Sequence, residues 1–392
     1  MQELTYALIT PYSLLRSRTG GIIGRLLNLA DLEFVGARMY APSDKFVDKY
    51  AQTVKDEKLD RTLKEALLNY LYDYLRPKNR LGISNRTILL LFKGEGAIET
   101  FRHQVLGGLS ATASADTVRG TFGDFIGYAT GEMGYFEPAV LAPSGPKINR
   151  RQLALFAEYA ERDGGALEEV IEFPADVKPE TTLVILKPEN FRRHSSRAGN
   201  IIDIFSRSGL YIVGIKLFSF SVAQAEEFYV PLLKIFPESL KENVVERLCS
   251  ALNQNFDFPI SDEIYSEMAE LLKKLNAKRE FDRIVEYMSG VSPGSIKSPR
   301  ERQRPGGERC LALLYRGADA VEKIRSILGV TDPGKAAEGT VRSVLGYDMM
   351  QNAAHAADSV ESAQRERKII GLWGKDKSEE RKIILEYLAQ TG

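Results

Sequence analysis

Two segments of this 392-residue chain carry the same pattern, and that repetition constrains the fold more than any single motif. The first reads TYALITPYSLLRSRTGGIIGRLLNLADLEFVGARMY from Thr5, and the second TTLVILKPENFRRHSSRAGNIIDIFSRSGLYIVGIKLF from Thr181. Each is an alternating apolar run ending at a proline (Pro11, Pro188), followed by a basic loop and a Gly-x-Ile-Ile turn at Gly20 and Gly199. Each continues with helical periodicity and a second apolar run around a Val-Gly pair, Val35-Gly36 and Val213-Gly214. A period of two, then of 3.6, then of two reads as strand, helix, strand. Self-similarity at this length predicts two copies of one domain.

Later signals keep the same order. The first copy has a strand at about 87–93, a helix at about 95–107 and TVRG at 117–120. The second has a strand at about 309–315, a helix at about 318–328 and GTVRS at 339–343. Strands and helices in this order suggest an antiparallel sheet with helices on one face. The joint falls at 166–180, where glycine, proline and acidic residues mix without a period and read as a linker between a domain at 1–165 and one at 181–392. The second copy carries an insertion at about 237–308. It is helical in pattern to about 290, then rich in proline, glycine and arginine, and that last stretch reads as a mobile loop. A shorter helical insert occupies about 55–76, and SEERKIILEYLAQ at the C-terminus reads as a final amphipathic helix.

Composition excludes several classes of function. Lys plus Arg number 53 and Asp plus Glu number 53, so bulk charge gives no general affinity for nucleic acid. The basic run PRERQRPGGER at 299–309 reads as a solvated loop. Two cysteines, Cys249 and Cys310, are too few for a disulfide framework or a cysteine-based zinc site. A reducing, cytoplasmic location fits them. No signal-peptide pattern opens the chain, and the run ILLLF at 88–92 is far short of the ~20 apolar residues of a membrane span. A Walker A loop is absent, because GKAAEGT at 334–340 lacks the spacing.

Only three histidines are available for chemistry: His103, His194 and His355. His103 lies beside Phe101 and Arg102 on an expected helix, and His194 in a basic loop; both read as structural or surface residues. His355 differs, because alanines 353, 354, 356 and 357 leave its ring approachable. Asp358-Ser359-Val360-Glu361 then reads as a helix start, and free N–H groups there favour an anion. Glu366, about two turns on, can orient the imidazole. Together, Asn352-Ala353-Ala354-His355-Ala356-Ala357-Asp358-Ser359 and the continuation VESAQRERKIIGLW resemble the nucleoside diphosphate kinase family, whose active-site segment is of the type N-x-x-H-x-S-D-S.

The resemblance extends through the second copy and implies a site. Lys187, in Leu186-Lys187-Pro188-Glu189, stands where the family has its phosphate lysine, and Tyr229 where it has an active-site tyrosine. Arg325 and Thr331 match the phosphate-binding arginine and threonine, Arg342 the second arginine, and Asn352 a ribose and phosphate contact. The family's fold would be two tandem ferredoxin-like (βαββαβ) α+β domains, and its reaction a γ-phosphate transfer from a nucleoside triphosphate to a nucleoside diphosphate through phospho-His355. Mg²⁺ would arrive with the nucleotide, and identical subunits would assemble into a homo-oligomer. Lys187 and the two arginines make sense physically, since they would neutralise a triphosphate and arginine can chelate its oxygens. Two departures stand out. Ala357 replaces a serine, and Ser343-Val344-Leu345 replaces the usual Gly-Asp-Phe. Phe236, near the insertion, is a candidate base-stacking aromatic and equally a core residue.

The first copy reads as degenerate. Thr10 sits opposite Lys187, His103 opposite Arg325 and Leu109 near Thr331. Arg119 and Tyr50 are retained opposite Arg342 and Tyr229, and no histidine follows Arg119 in that copy. Its expected role is architectural, supplying within the chain a contact that identical subunits otherwise make. The alternative reading of the whole chain is a catalytically inactive nucleotide-binding or scaffold pseudoenzyme.

Overall fold

The computed structural model describes residues 2–109, 114–127, 133–374 and 378–391. They pack as two units, one of residues 1–218 with 311–392 and one of residues 219–310. In the first unit, the first copy supplies β1 (Gln2–Ile9), β2 (Glu33–Tyr40) and β3 (Thr87–Glu95). After a separate hairpin of β4 (Asp124–Gly127) and β5 (Met133–Glu137), it adds β6 (Val140–Leu141). The second copy supplies β7 (Glu180–Leu186), β8 (Tyr211–Phe218), β9 (Cys310–Gly317) and β10 (Ala354–Ala356).

These strands form one eight-stranded sheet in the order β10-β7-β9-β8-β2-β3-β1-β6. Counted outward from the middle, both copies lay down their strands in the same sequence: second, third, first, fourth. The sheet therefore has a pseudo-twofold between β2 and β8, which meet antiparallel where Arg38 pairs with Lys216. This is the tandem ferredoxin-like α+β fold, with antiparallel pairing throughout and a helical insertion between β8 and β9.

Helices cover both faces of the first copy's sheet, where the sequence pattern suggested one. The reason lies in β3. Ile88, Leu90 and Phe92 point into one cluster, with Ile22 and Leu26 of the helix Thr19–Leu29. Leu89 and Leu91 point into another, with Phe46, Tyr50, Leu71 and Phe156. Successive strand residues face opposite sides, so a run apolar at both parities must be buried twice. The second cluster lies under the helices Asp44–Lys55, Arg61–Tyr74, Pro146–Tyr159 and Glu379–Gln390; Ile384 of the last is fully buried in it. At ~1.5–3 kcal/mol per fully buried large apolar side chain, both faces matter to stability.

The Gly-x-Ile-Ile segments are not turns. Both open helices, Thr19–Leu29 and Arg197–Ser206, which pack against each other across the pseudo-twofold. The glycines serve that crossing. A Cβ on Gly199 would come within 2.3 Å of both the Gly20 carbonyl oxygen and the Gly24 nitrogen, and one on Gly20 within 2.6 Å of the Gly199 carbonyl oxygen. No side chain fits between backbones this close.

The connecting segment 166–180 is tied to the sheet. Leu167 N–H donates to the Val213 carbonyl at 2.7 Å, and the Glu168 carboxylate accepts from Thr181 and Arg367, each at 2.5 Å. In the second unit the helices Val222–Tyr229, Leu232–Ser239, Lys241–Asn253 and Asp262–Ser289 pack together. Residues 291–308 are folded rather than a mobile loop. Arg302 donates to the Pro293 and Ile296 carbonyls at 3.0 and 3.2 Å and pairs with Glu226 at 2.5 Å, while Gly306 N–H donates to the Phe220 carbonyl. One guanidinium organises a run that looks featureless in sequence. Among the described residues no helix is long and apolar enough to cross a membrane.

Candidate active site

The site is built on the edge strand β10, in which His355 pairs with Ile185 of β7. The residues before it are pinned in a costly conformation. Ala353 has φ +73°, a left-handed region that charges a residue with a Cβ about 1–2 kcal/mol. Its surroundings hold it there. The Ala353 carbonyl accepts from Lys187 N–H at 3.1 Å and from Asn190 Nδ2 at 2.7 Å, and its own N–H donates to Glu189 Oε1 at 2.8 Å. Asn190 is in turn held by Arg197 Nε at 2.9 Å. The loop entering β10 is thus clamped to the turn leaving β7.

After β10 the helix Val360–Ile369 begins, capped by Ser359 Oγ, which accepts from Ser362 N–H at 3.1 Å. Hydrogen bonding from Ser362, helped by Ser359 and the Arg325 charge, lowers the Asp358 carboxyl below its ordinary range. Two turns in, Glu366 points back to the histidine, with His355 Nε2 and Glu366 Oε2 2.8 Å apart. The glutamate side chain is 6% exposed and the histidine 23%. A carboxylate only accepts, so in neutral His355 the proton sits on Nε2 and the lone pair on Nδ1. Arg365 approaches the other carboxylate oxygen at 3.4 Å.

The cationic residues converge on this edge. Lys187 leaves the end of β7, and its Nζ donates to Asn352 Oδ1 at 2.7 Å and to the Met350 carbonyl at 2.8 Å. Asn352 is buried, and its amide nitrogen donates to the Thr331 and Met349 carbonyls, both at 2.9 Å. Arg342 donates from Nη1 to the Gly329 carbonyl at 2.9 Å and from Nη2 to the Ala354 carbonyl, next to His355, at 3.1 Å. Arg325 is exposed in the last turn of the helix Ala320–Leu328, and Thr331 is exposed just beyond it. Lys187, Arg342, Asn352 and Glu366 are thereby linked to His355 by this chain of contacts; Thr331 joins it only through its carbonyl, and Arg325 only through its charge, which acts on Asp358. Tyr229 lies in the second unit, buried at the end of Val222–Tyr229 with its ring 4.9 Å from that of Phe228. Phe236 is half-buried on Leu232–Ser239 of the same unit.

Sequence reasoning missed Glu189, Asn190 and Arg197 as supports of the loop. The signal was faint: the three lie in the segment after Pro188, where polar residues are unremarkable. Local hydrogen bonds from a distant loop leave no periodic trace.

The first copy repeats the scaffold without the chemistry. Ala139 has φ +58°, its carbonyl accepts from Thr10 N–H at 3.1 Å, and its N–H donates to Glu137 at 3.0 Å. Arg119 Nη1 donates to the Gly107 carbonyl at 2.9 Å, as Arg342 does to Gly329. In this register Leu141, paired with Leu8 of β1, takes the place of His355. Eleven residues later Gln152 takes the place of Glu366. Its amide joins a buried network in which Tyr6 OH donates to Oε1 at 2.7 Å, Tyr6 and Tyr50 hydroxyls meet at 2.7 Å, and Nε2 donates to Thr53 at 2.9 Å. Tyr6 thus partners the residue that stands in the place of Glu366, with Tyr50 beside it. His103 faces Glu99 at 3.1 Å on an exposed surface, and His194 lies 3.9 Å from Asp31.

Known proteins match the copy that carries His355. The family model for nucleoside diphosphate kinase matches residues 180–251 and 232–372, two stretches that overlap at 232–251. Nucleoside diphosphate kinase 3 of Mus musculus is 29% identical over 194 residues, covering 50% of this chain and 76% of the mouse protein. A nucleoside diphosphate kinase of Dehalococcoides mccartyi is 26% identical over 187 residues, covering 48% and 88%. Among solved structures, the nucleoside diphosphate kinase of Aquifex aeolicus is 26% identical and covers 49% of this chain and 95% of its own, with a TM-score of 0.30. Residues 180–372 of this chain belong to the nucleoside diphosphate kinase family.

Proposed function

We propose that the second copy is a working nucleoside diphosphate kinase, transferring a γ-phosphoryl group between nucleotides through phospho-His355. The observation that carries this reading is the His355–Glu366 contact at 2.8 Å on a loop clamped beside Lys187. Nδ1 of His355 attacks the γ-phosphorus in line. The new N–P bond forms as the bond to the β-phosphate oxygen breaks, and the leaving diphosphate keeps that electron pair. A second nucleoside diphosphate then attacks the phosphohistidine and restores the ring, which is ping-pong chemistry. Charge stabilisation dominates such a transfer. Lys187, Arg325 and Arg342 supply the positive charge and the Thr331 hydroxyl a further donor. With its amide committed to Lys187 and to two carbonyls, Asn352 acts as a positioning residue for the lysine. Glu366 is likewise a positioning residue, acting through the ring.

Mg²⁺ arriving with the nucleotide would supply further neutralisation of the phosphate charge beside Lys187, Arg325 and Arg342. Among the described residues no group of three or more His, Cys, Asp or Glu gathers. The resemblance also assigns Tyr229 to the nucleotide; the cluster around His355 stands without it.

The test is incubation of the purified chain with γ-labelled ATP. An acid-labile, base-stable label in the native protein and none in His355→Ala is expected. No label in either protein would replace the kinase with a nucleotide-binding pseudoenzyme.

A further inference from the structure

The helix Asp262–Ser289 of the second unit carries apolar residues on two opposing faces. Tyr265, Ala269, Ala277 and Phe281 are buried, and the shorter helices of the same unit pack on it. On the other side Ile264, Leu271 and Leu275 are 48%, 80% and 70% exposed, with Met268 half-buried among them. The positions 264, 268, 271 and 275 are spaced four, three and four apart. That is the seam spacing of paired helices, whose knobs seat only in holes of the same period. A row of large apolar side chains this exposed marks an interaction surface rather than ordinary scatter.

The flanking charges choose the occupant. On one edge of the helix, Glu270 and Lys273 pair with Lys241 and Glu238 inside the unit. On the seam's own edge Glu267 and Lys274 are exposed, and neither enters an ion pair among the described residues. When the same helix is laid antiparallel on itself, Ile264 falls opposite Leu275 of a second copy and Met268 opposite Leu271. In that one register Glu267 falls beside Lys274 of the second copy, and symmetry repeats the pair. An isologous interface requires such self-complementarity. We propose that this face is a self-association surface, on which two copies of the chain pair through antiparallel Asp262–Ser289 helices.

Sedimentation of the full chain across a concentration series tests it. The native chain should pass from monomer to dimer, and L271K/L275K should stay monomeric with unchanged thermal stability, since both side chains face outward. E267K and K274E should each weaken association by about tenfold, because like charges then meet twice. A mixture of those two variants should associate as the native chain does, since unlike charges meet again. A native chain that stays monomeric overturns the proposal. So does an oligomer indifferent to L271K/L275K, or a mixture no stronger than its components.

Discussion

Replacing Glu366 with glutamine removes one charge and keeps the shape, and its effect can be worked from the site. The contact is 2.8 Å and the glutamate side chain is 6% exposed, so the carboxylate acts in a shielded setting. A hydrogen bond to a charged group is worth about 1.5–3 kcal/mol net and a neutral one about 0.5–1.5 kcal/mol, so the ring loses roughly 1–2 kcal/mol of support as charge develops on it. At 1.36 kcal/mol per factor of ten, phosphoryl uptake should slow by about 5- to 30-fold. The amide also has a donor, and turning it toward Nε2 would move the lone pair off Nδ1, which adds to the loss. Single-turnover labelling at saturating nucleotide reads this rate, while equilibrium binding reads affinity, which should hold because Glu366 faces the ring rather than the ligand. A labelling rate within twofold of native would refute the positioning argument. So would an intact rate accompanied by lost affinity.

Two further outcomes concern the scaffold. Gly199→Ala places a methyl group 2.3 Å from two backbone atoms of the facing helix, so we expect a loss of about 1–3 kcal/mol in urea unfolding; an unchanged midpoint would mean the helices do not cross there. Burial pushes the Glu137 carboxyl up to about 7, above its unfolded value of about 4.5. The folded state then binds the extra proton between those values, so this group's contribution is full below pH ~4.5 and is lost as pH rises through about 7, by roughly 3 kcal/mol at most. Glu137→Gln should flatten that slope and be the more stable form at pH 8 in paired urea melts; parallel pH profiles for the two proteins would contradict the assignment.

Much of the architecture was legible because it rests on periodic features. Strand alternation and the paired prolines disclosed the duplication, and the N-x-x-H segment disclosed the histidine, though not the edge strand Ala354–Ala356 that carries it. The doubled apolar parity of Ile88 to Phe92 announced two covered faces, although only one was inferred. Other features had no such trace. Gly20 and Gly199 look like turn residues until the opposite backbone is seen. The clamp of Glu189 and Asn190 on Ala353, and the buried Tyr6–Tyr50–Gln152 network of the first copy, join residues far apart in the chain. Their energies depend on distance and angle, and spacing along the chain encodes neither.

The C-terminal helix has a consequence for how the chain is made. Ile384 sits fully buried in the first copy's second cluster, Glu380 pairs with Arg38 of β2 at 3.6 Å, and Arg381 donates to the Ala157 carbonyl. The first copy is synthesised before the second, yet its own apolar cluster is completed by a helix that follows the second copy. Throughout translation of the second copy that cluster stays open, a window in which exposed apolar surface invites misassembly. The two copies are therefore not independent beads on a string: the first copy's cluster closes only when the helix that follows the second copy docks on it.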